Sequence, residues 1–358
     1  MIGGGIIGLS LALDLRRHGQ RVIVLDTTQP GREASWAAGG MLAAHDPEIK
    51  PALRPLATAS ANMYAEFVHQ VQDESGERVD FRNDGTIRFL HEHELSQCSL
   101  PLLTDNDLRE LEPELLYRAP AVFLNENCVD PRLLMPALIK AARHHEVDIA
   151  ASAEVQQIEI VNERATAAIT SRTRYPGAAI VNCAGAWAAQ ITPAKIPTRP
   201  VKGHMLSVAP LVTPSSLTTP RHLVRHVIRG NVYIIPRGDG RIVIGSTAED
   251  VGFNKRVDTS TIQNLHQQAA YLVPSLGEAR ILEDWAGLRP GTPDGLPILG
   301  RTEADGYFVA TGHYRDGILL APVTAKLMSK LIRGEDPGMD LMPFSLTRFQ
   351  ASESSKTQ

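Results

Sequence analysis

The feature that most constrains the fold is a glycine-rich loop, GGGIIG, at residues 3–8. Apolar residues at helical spacing follow it, and then RVIVLD at 21–26, a continuous run typical of a buried parallel strand. Gly3, Gly5 and Gly8 fit the pattern G-x-G-x-x-G, which combines a tight turn, close approach to a pyrophosphate and packing of helix on strand. The order loop, helix, strand predicts the front half of a βαβ unit that binds a dinucleotide.

The residues after this unit favour the same interpretation. Asp26 ends the second strand, where an acid accepts hydrogen bonds from an adenosine ribose, although a solvated strand-end acid is the alternative. The chain then runs through PGREASWAAGGMLAAH at 30–45. Its small residues permit a backbone to lie flat against a planar ring or a pyrophosphate. Close helix packing explains them equally well.

Composition excludes several classes of function. The 36 Lys and Arg against 40 Asp and Glu, a net charge of −4, give no electrostatic reason to expect nucleic acid or a membrane surface as partner. Three dispersed cysteines form no CxxC pair, so we expect no metal site and no disulfide framework. The apolar run at 6–15 is too short to span a bilayer. We therefore expect a cytoplasmic protein.

Hydrophobic periodicity predicts an α/β protein, α+β overall. We expect helices at 6–18, 55–75, 105–112, 131–145, 260–272 and 318–333, and strands at 21–26, 85–90, 154–161, 178–185 and within 199–247. A Rossmann-like cofactor domain is expected from discontinuous segments at 1–80, 130–200 and 285–345. It is interleaved with a mixed or antiparallel-sheet substrate domain at 81–129 and 201–284, and a polar tail occupies 346–358.

The chain resembles the D-amino-acid oxidase superfamily of flavoproteins and, within it, the glycine oxidases of the thiamine pathway. The matching motifs, in the family's order, are GGGIIG (3–8), REASWAAGGML (32–42), RPVKGHMLSV (199–208), VYIIPRGDGRIVIGST (232–247), WAGLRPGTPDGLPILGR (285–301) and ATGHYRDGILLAP (310–322). The resemblance implies non-covalent FAD as cofactor. It also implies hydride transfer from the substrate Cα to flavin N5, with O₂ reoxidising the flavin to give hydrogen peroxide.

The same resemblance implies which residues bind FAD. They are Gly3, Gly5, Ile6, Ile7, Gly8, Asp26, Thr27, Ala34, Ser35, Gly39, Gly40, Met41, Val155, His313, Tyr314, Arg315, Asp316, Gly317, Ile318 and Leu319. Val155 is expected at the adenine. The segment from His313 onward is expected to offer backbone N–H groups at a helix start to the negative charge of the reduced flavin.

Two positions depart from the family. Relatives usually have Glu where this chain has Asp26, and the shorter acid is expected to reach the ribose less well. The family also has several β-branched residues before the first glycine, where only Met1 and Ile2 stand here. We interpret this as a choice of start site rather than a change of function, and a flavin-free homologue is the alternative.

The substrate side is expected to centre on Arg289, Tyr233 and Arg315. A guanidinium in the Gly/Pro turn GLRPGTPDG suits bidentate capture of a carboxylate. Without the resemblance, a surface arginine and a half-buried packing tyrosine explain the residues as well. With it, Arg289 and Tyr233 are expected to bind the carboxylate and Arg315 to be a second substrate-side arginine. Met41 and Ala248 are expected to line the pocket.

Other prominent side chains receive plainer interpretations. We expect Arg237 to be structural and His313 to have no role as a base. Hydride transfer from a neutral amine needs orientation rather than a protein base. Ala43 and Ala44, with Ala248, are expected to leave room at the pocket entrance for side chains larger than that of glycine.

The expected reaction is oxidative deamination of glycine and small amino acids such as sarcosine, D-alanine and D-proline, giving an imine or 2-oxo acid, ammonia and hydrogen peroxide. One alternative is a D-amino-acid dehydrogenase with a quinone acceptor, which needs a membrane-contact surface. Another is the FAD domain of a tRNA-modifying enzyme, which needs a positive surface. The sequence leaves open a homo-oligomer and a hand-off of the imine to a thiazole synthase.

Overall fold

The computed structural model describes residues 1–96, 98–210 and 223–349, so most of the predicted polar tail lies outside the described residues. The helices are α1 (Ile6–Arg17), α2 (Ala34–Ala37), α3 (Arg54–Ser75), α4 (Glu92–Leu95), α5 (Asp105–Leu111), α6 (Pro131–His144), α7 (Thr259–Leu272) and α8 (Gly317–Ile332). The strands are β1 (Ile23–Leu25), β2 (Met41–Leu42), β3 (Phe81–Arg82), β4 (Thr86–Phe89), β5 (Ala121–Leu124), β6 (Asn127–Val129), β7 (Asp148–Ala150), β8 (Val155–Val161), β9 (Arg164–Thr170), β10 (Arg174–Pro176), β11 (Ile180–Asn182), β12 (Arg199–Ala209), β13 (Val227–Arg229), β14 (Tyr233–Pro236), β15 (Ile242–Gly245), β16 (Arg280–Gly291), β17 (Ile298–Arg301) and β18 (Tyr307–Thr311).

The short segment before the glycine loop completes a mostly parallel sheet, in which the β17–β18 pair is antiparallel. Strands β7 and β1 form one part of this sheet, and β11, β18 and β17 form the other. Ile2 joins the two parts, because it bridges Leu25 on one side and Asn182 on the other, both in parallel. The N–H of Gly3 donates to the Leu25 carbonyl at 2.8 Å, and that of Ile2 donates to the Val181 carbonyl at 2.9 Å. Two residues therefore serve as the central strand.

A second, seven-stranded sheet has the order β16-β12-β15-β14-β13-β4-β5. Its pairs are antiparallel except β13–β4, which confirms the predicted mixed or antiparallel sheet beside a Rossmann-like one. Smaller antiparallel sheets are β10-β9-β8 and β2-β6-β3. Strand β16 pairs with β12 from Gly291 back to Arg280, so the domain boundary predicted at 285 falls inside a strand. The division into domains stays a prediction.

The predicted helices match the observed ones to within one residue at each end, a normal uncertainty for frayed termini. Several strands were not predicted, among them β9, β10, β16, β17 and β18. Arg289, expected in a Gly/Pro turn, lies in β16 and pairs with Val201 of β12. The β8–β9 hairpin turns at Asn162 and Glu163, whose φ angles are 49° and 61°. Hairpin turns of this kind are usually marked by glycine, and here no glycine stands at the turn to reveal the second strand.

Helix α8 contains Pro322 and depends on α3 for its hydrogen bonds. Proline has no N–H to donate to the carbonyl four residues earlier, which is that of Ile318. The Tyr64 hydroxyl donates to this carbonyl at 3.2 Å. One turn earlier on α3, the Ser60 hydroxyl donates to the Leu319 carbonyl at 2.6 Å. Two buried α3 side chains thus stabilise the first turn of α8, where the sequence places cofactor contacts.

Tyr64→Phe removes only the hydroxyl and leaves the Ile318 carbonyl buried without that donor. We expect the free energy of unfolding to fall by about 1–3 kcal/mol, measured by urea denaturation. Tyr271→Phe is the matched control, because Tyr271 is 71% exposed and should leave stability unchanged. Equal stability of Tyr64→Phe and the wild type would contradict this role.

Candidate active site

One cavity of about 1390 Å³ lies where the two large sheets meet. It exceeds the roughly 300–1,000 Å³ of a typical small-molecule pocket, as a dinucleotide together with a substrate requires. The N-termini of α1 and α8 both open onto it. The predicted site residues that line it are Gly3, Gly5, Ile6, Ile7, Asp26, Thr27, Ala34, Ser35, Gly39, Gly40, Met41, Val155, Tyr233, Ala248, Arg289, His313, Tyr314, Arg315, Asp316, Gly317 and Ile318.

Three predicted residues lie behind the cavity wall. A Cβ on Gly8 would stand 2.0 Å from the Gly3 carbonyl oxygen, so this glycine allows α1 to pack on the loop and does not face a ligand. Leu319 is 1% exposed and belongs to the main core. Ala44 is buried in the same core, which corrects its expected place at the pocket entrance. Ala43 does line the cavity.

The α1 end of the cavity has the features that a pyrophosphate and a ribose require. The Ser35 hydroxyl accepts a hydrogen bond from the Ile6 N–H at 2.9 Å, in the first turn of α1. A helix N-terminus favours anions through its aligned peptide dipoles. The Asp26 carboxylate accepts from the Gly4 N–H at 2.7 Å and from the Thr28 N–H at 2.9 Å. These bonds hold the carboxylate at the cavity edge with lone pairs left for hydroxyl groups.

The segment 34–41 is held against the cavity by two arginines. The Arg132 guanidinium lies 3.7 Å from the ring centroid of Trp36 and 4.0 Å from that of Trp285. The Trp285 indole donates to the Ala37 carbonyl at 3.1 Å. Farther along, Arg237 donates to the Gly39 carbonyl at 2.7 Å. Arg237 is therefore structural in the sense predicted, and it supports the backbone expected beside the flavin.

The α8 end of the cavity contains a neutral histidine. His313 is buried, and its Nε2 lies 3.1 Å from the Thr324 hydroxyl. Burial lowers the pKa of the imidazole to about 3, so it stays uncharged near neutral pH and is hydrogen-bonded away from a base role. Asp316 precedes α8, and burial, with the nearby charge of Asp46, raises its pKa to about 6. Arg315 is exposed at this end, with its guanidinium 5.4 Å from the Tyr314 ring centroid.

Arg289 is fixed by oxygen atoms from consecutive residues. Its Nη1 donates to the Thr247 carbonyl at 2.9 Å, and its Nη2 donates to the Ser246 hydroxyl at 2.6 Å. The Tyr233 hydroxyl lies 3.5 Å from Nη2 and also hydrogen-bonds to Ser246. Within the part of the chain that the structure describes, no carboxylate pairs with this guanidinium. Its remaining donors and its charge are available to an anion.

Close packing of β12 on β16 determines where the guanidinium lies. A Cβ on Gly203 would stand 2.3 Å from Arg289 Nη1 and 2.6 Å from its central carbon. The guanidinium therefore occupies the space above a glycine in the neighbouring strand. The sequence singles out the motif RPVKGHMLSV, but nothing in it shows that its glycine forms the floor under Arg289.

Gly203→Ala should displace the Arg289 guanidinium with little effect on the fold, because the atoms that must move are the end of a flexible side chain. We expect kcat/KM to fall about 10- to 100-fold, the equivalent of roughly 1.4–2.8 kcal/mol, while the melting temperature changes little. Steady-state kinetics and thermal denaturation measure the two effects. Gly277→Ala is the control, since its Cβ would make an ordinary 3.5 Å contact with Ala270. Wild-type kinetics for Gly203→Ala would refute the placement of Arg289.

A buried ionic cluster that the sequence analysis missed borders the cavity. Arg229 forms an ion pair with Asp46 and lies 3.8 Å from Glu126 Oε2. Burial raises the pKa of Glu126 to about 7, opposed by Arg229 and by the hydrogen bond from the His45 N–H. Two acids thus share one arginine. The three residues come from separate loops and strands, so no spacing in the sequence could have revealed the cluster.

A carboxyl group whose pKa is raised in the folded state lowers the free energy of unfolding as pH rises, because the unfolded chain ionises first. For Glu126 the loss accumulates as pH rises from about 4.5 to about 7. Glu126→Gln imitates the protonated form, so we expect it to increase the free energy of unfolding by about 2–3 kcal/mol at pH 8. The gain should shrink below about 1 kcal/mol at pH 5. Urea denaturation at both pH values measures it, and a gain independent of pH would contradict the assignment.

Comparison with known proteins gives the family. The model of the family described as FAD dependent oxidoreductase (DAO) matches residues 1–331. The chain belongs to this family. It is 30% identical to a glycine oxidase of Pseudomonas aeruginosa, over 96% of this chain and 97% of that protein. The crystal structure of glycine oxidase from Geobacillus kaustophilus superposes with a TM-score of 0.89 at 31% identity, over 97% of both chains.

A third relative is a bifunctional protein that is longer than this chain. The bifunctional protein ThiO/ThiG of Synechocystis sp. is 34% identical over 98% of this chain, which spans about half, 53%, of that protein. Together the comparisons confirm the predicted superfamily, the predicted fold class and FAD as cofactor. The helix N-termini, the acid at the ribose end and the small-residue segment fit that cofactor. Across the described ranges, no helix is long and apolar enough to cross a membrane.

Proposed function

We propose that this protein is an FAD-dependent oxidase of glycine and other small amino acids. Its sequence relatives and structural neighbours support this class of reaction. The observation that carries the proposal is the state of Arg289. It is half-buried at the cavity wall, it is held by neutral oxygen atoms, and no acidic residue within the described segments neutralises it. A substrate carboxylate would supply the missing charge.

Different cavity residues bind the cofactor and the substrate. The residues of the α1 end, with Val155, would hold the adenosine and pyrophosphate, and the segments 39–41 and 313–318 would hold the ring system. When bound, FAD supplies the two-electron acceptor chemistry. Arg289 and Tyr233 bind and orient the carboxylate, which fixes the α-carbon relative to the rest of the cavity. Orientation of this kind lowers the barrier without a protein base.

The side chains at the cavity determine which group can accept the ammonium proton of the substrate. His313 stays neutral and is bonded to Thr324, so it does not take the substrate's ammonium proton. We propose that the amine binds in its neutral form, after losing that proton to solvent. Arg315, exposed at the same cavity, is proposed to attract the anionic substrate to the entrance by its charge.

The substrate range is proposed to include glycine, sarcosine, D-alanine and D-proline. Ala248 is an exposed residue of the cavity wall, and Ala43 and Met41 line the same cavity. The short side chains of Ala43 and Ala248 leave space beyond the α-carbon of a bound substrate. The products are proposed to be the imine or 2-oxo acid, ammonia and hydrogen peroxide.

Two further features of the proposal concern the cell. Hand-off of the imine to a thiazole synthase is supported by the resemblance to the thiamine-pathway branch and by the bifunctional ThiO/ThiG relatives. A cytoplasmic location is proposed from the composition.

Arg289→Ala tests the substrate site. Loss of the charged hydrogen bonds should cost about 2–5 kcal/mol, or roughly thirty- to several-thousand-fold in kcat/KM for glycine. The FAD content, read from the visible absorption of the purified variant, should stay at the wild-type level. Arg280→Ala on the same strand is a matched control, because Arg280 is exposed and outside the cavity. Activity of Arg289→Ala within a few-fold of wild type would refute the assignment.

A further inference from the structure

The Ser246 side chain occupies the point where the two proposed carboxylate ligands meet. Its hydroxyl accepts from Arg289 Nη2 at 2.6 Å and hydrogen-bonds to the Tyr233 hydroxyl. Arg289 Nη2 and the Tyr233 hydroxyl oxygen are 3.5 Å apart, at the limit of a direct hydrogen bond. We propose that Ser246 is a positioning residue that holds this pair ready for a carboxylate and completes its set of donors. The inference rests on the proposed function.

The number of hydroxyl protons on Ser246 and Tyr233 supports this assignment. A guanidinium can only donate, so Ser246 must use one lone pair to accept from Arg289. The serine and tyrosine hydroxyls carry two protons and share one hydrogen bond. Whichever of them donates, one hydroxyl proton is left over. Both side chains line the cavity, so that proton, next to the arginine, is available to a carboxylate oxygen.

The backbone that carries Ser246 is itself fixed from behind. The next residue, Thr247, holds Arg289 Nη1 through its carbonyl, while its hydroxyl donates to Glu249 at 2.6 Å. The fully buried His204 lies 3.1 Å from that hydroxyl and 2.9 Å from the Glu249 carboxylate. The two neighbouring residues therefore hold both Nη atoms of one guanidinium. An anchored segment of this kind lets a single hydroxyl set the geometry of the pair.

A hydroxyl that prepares the carboxylate site should affect binding more than turnover. With the FAD-loaded enzyme, we expect Ser246→Ala to raise KM for glycine about 3- to 10-fold, the range of a single hydrogen bond, and to leave kcat within about twofold. Acetate, which has the carboxylate without the amine, serves as the binding probe. Its Kd, from the perturbed flavin absorption, should rise by the same factor.

Two variants separate positioning from general damage. Ser246→Thr keeps the hydroxyl and should restore acetate binding to within about twofold of wild type. Ser207→Ala is the serine control: this buried residue bonds to Glu283 outside the cavity and should change neither constant. Wild-type acetate binding by Ser246→Ala, or a threonine variant as weak as the alanine one, would overturn the inference. Failure of the wild type itself to turn over glycine would instead overturn the proposed function.

Discussion

The site depends on the backbone hydrogen bonds that hold residues 1–3 between β1 and β11. Gly3 donates to Leu25, and Ile2 both donates to Val181 and accepts from Cys183. These bonds place the glycine loop at the carboxyl end of the parallel strands, where open α/β sheets bind ligands. The loop in turn fixes the start of α1, and with it the anion-binding end of the cavity. Each N–H and C=O of Met1 and Ile2 has one backbone partner: Met1 bonds to β1, and Ile2 bonds to Val181 and Cys183 at β11.

The arginines around the cavity differ in what compensates their charge, and this difference supports the roles proposed for them. Arg229 is paired with Asp46 and approaches Glu126, while Arg132 is paired with Glu283 and stacked between tryptophans. Across the described residues, the hydrogen-bond partners of Arg289 are all neutral oxygen atoms. Holding a partly buried charge without a counterion costs free energy that a ligand can recover. This supports the proposal that Arg289 binds the substrate carboxylate.

Local patterns predicted much of the fold and of the cofactor site. The glycine loop, the six longest helices and strands such as β8 and β12 follow from spacing and periodicity, whereas the longest strand, β16, was missed. The motifs of the resemblance lie around one cavity. Gly8 and Leu319 lie behind the cavity wall, because a motif match does not say which side of an element faces the ligand. Their contacts with FAD stay predictions. Such orientation depends on packing against distant segments.

The missed features share a physical cause, which is that they arise only when separate segments meet. The role of Ser246 arises only in the folded chain, because folding brings Arg289, 43 residues away, to its hydroxyl. Gly203 matters because β12 pairs with β16 and leaves space for a guanidinium. The cluster of Asp46 with Arg229 and Glu126 likewise joins three segments. Tertiary contacts of this kind carry no local signature, whereas loops and helices do.

The most direct test of the account is the visible absorption spectrum of the purified protein, recorded before and after glycine is added without oxygen. We expect a flavin band that glycine bleaches and that air restores with formation of hydrogen peroxide. A band that D-alanine or D-proline bleaches but glycine does not would keep the reaction class and change the preferred substrate. A protein with no flavin band, even after FAD is added, would contradict the central claim that this cavity binds FAD for amino-acid oxidation.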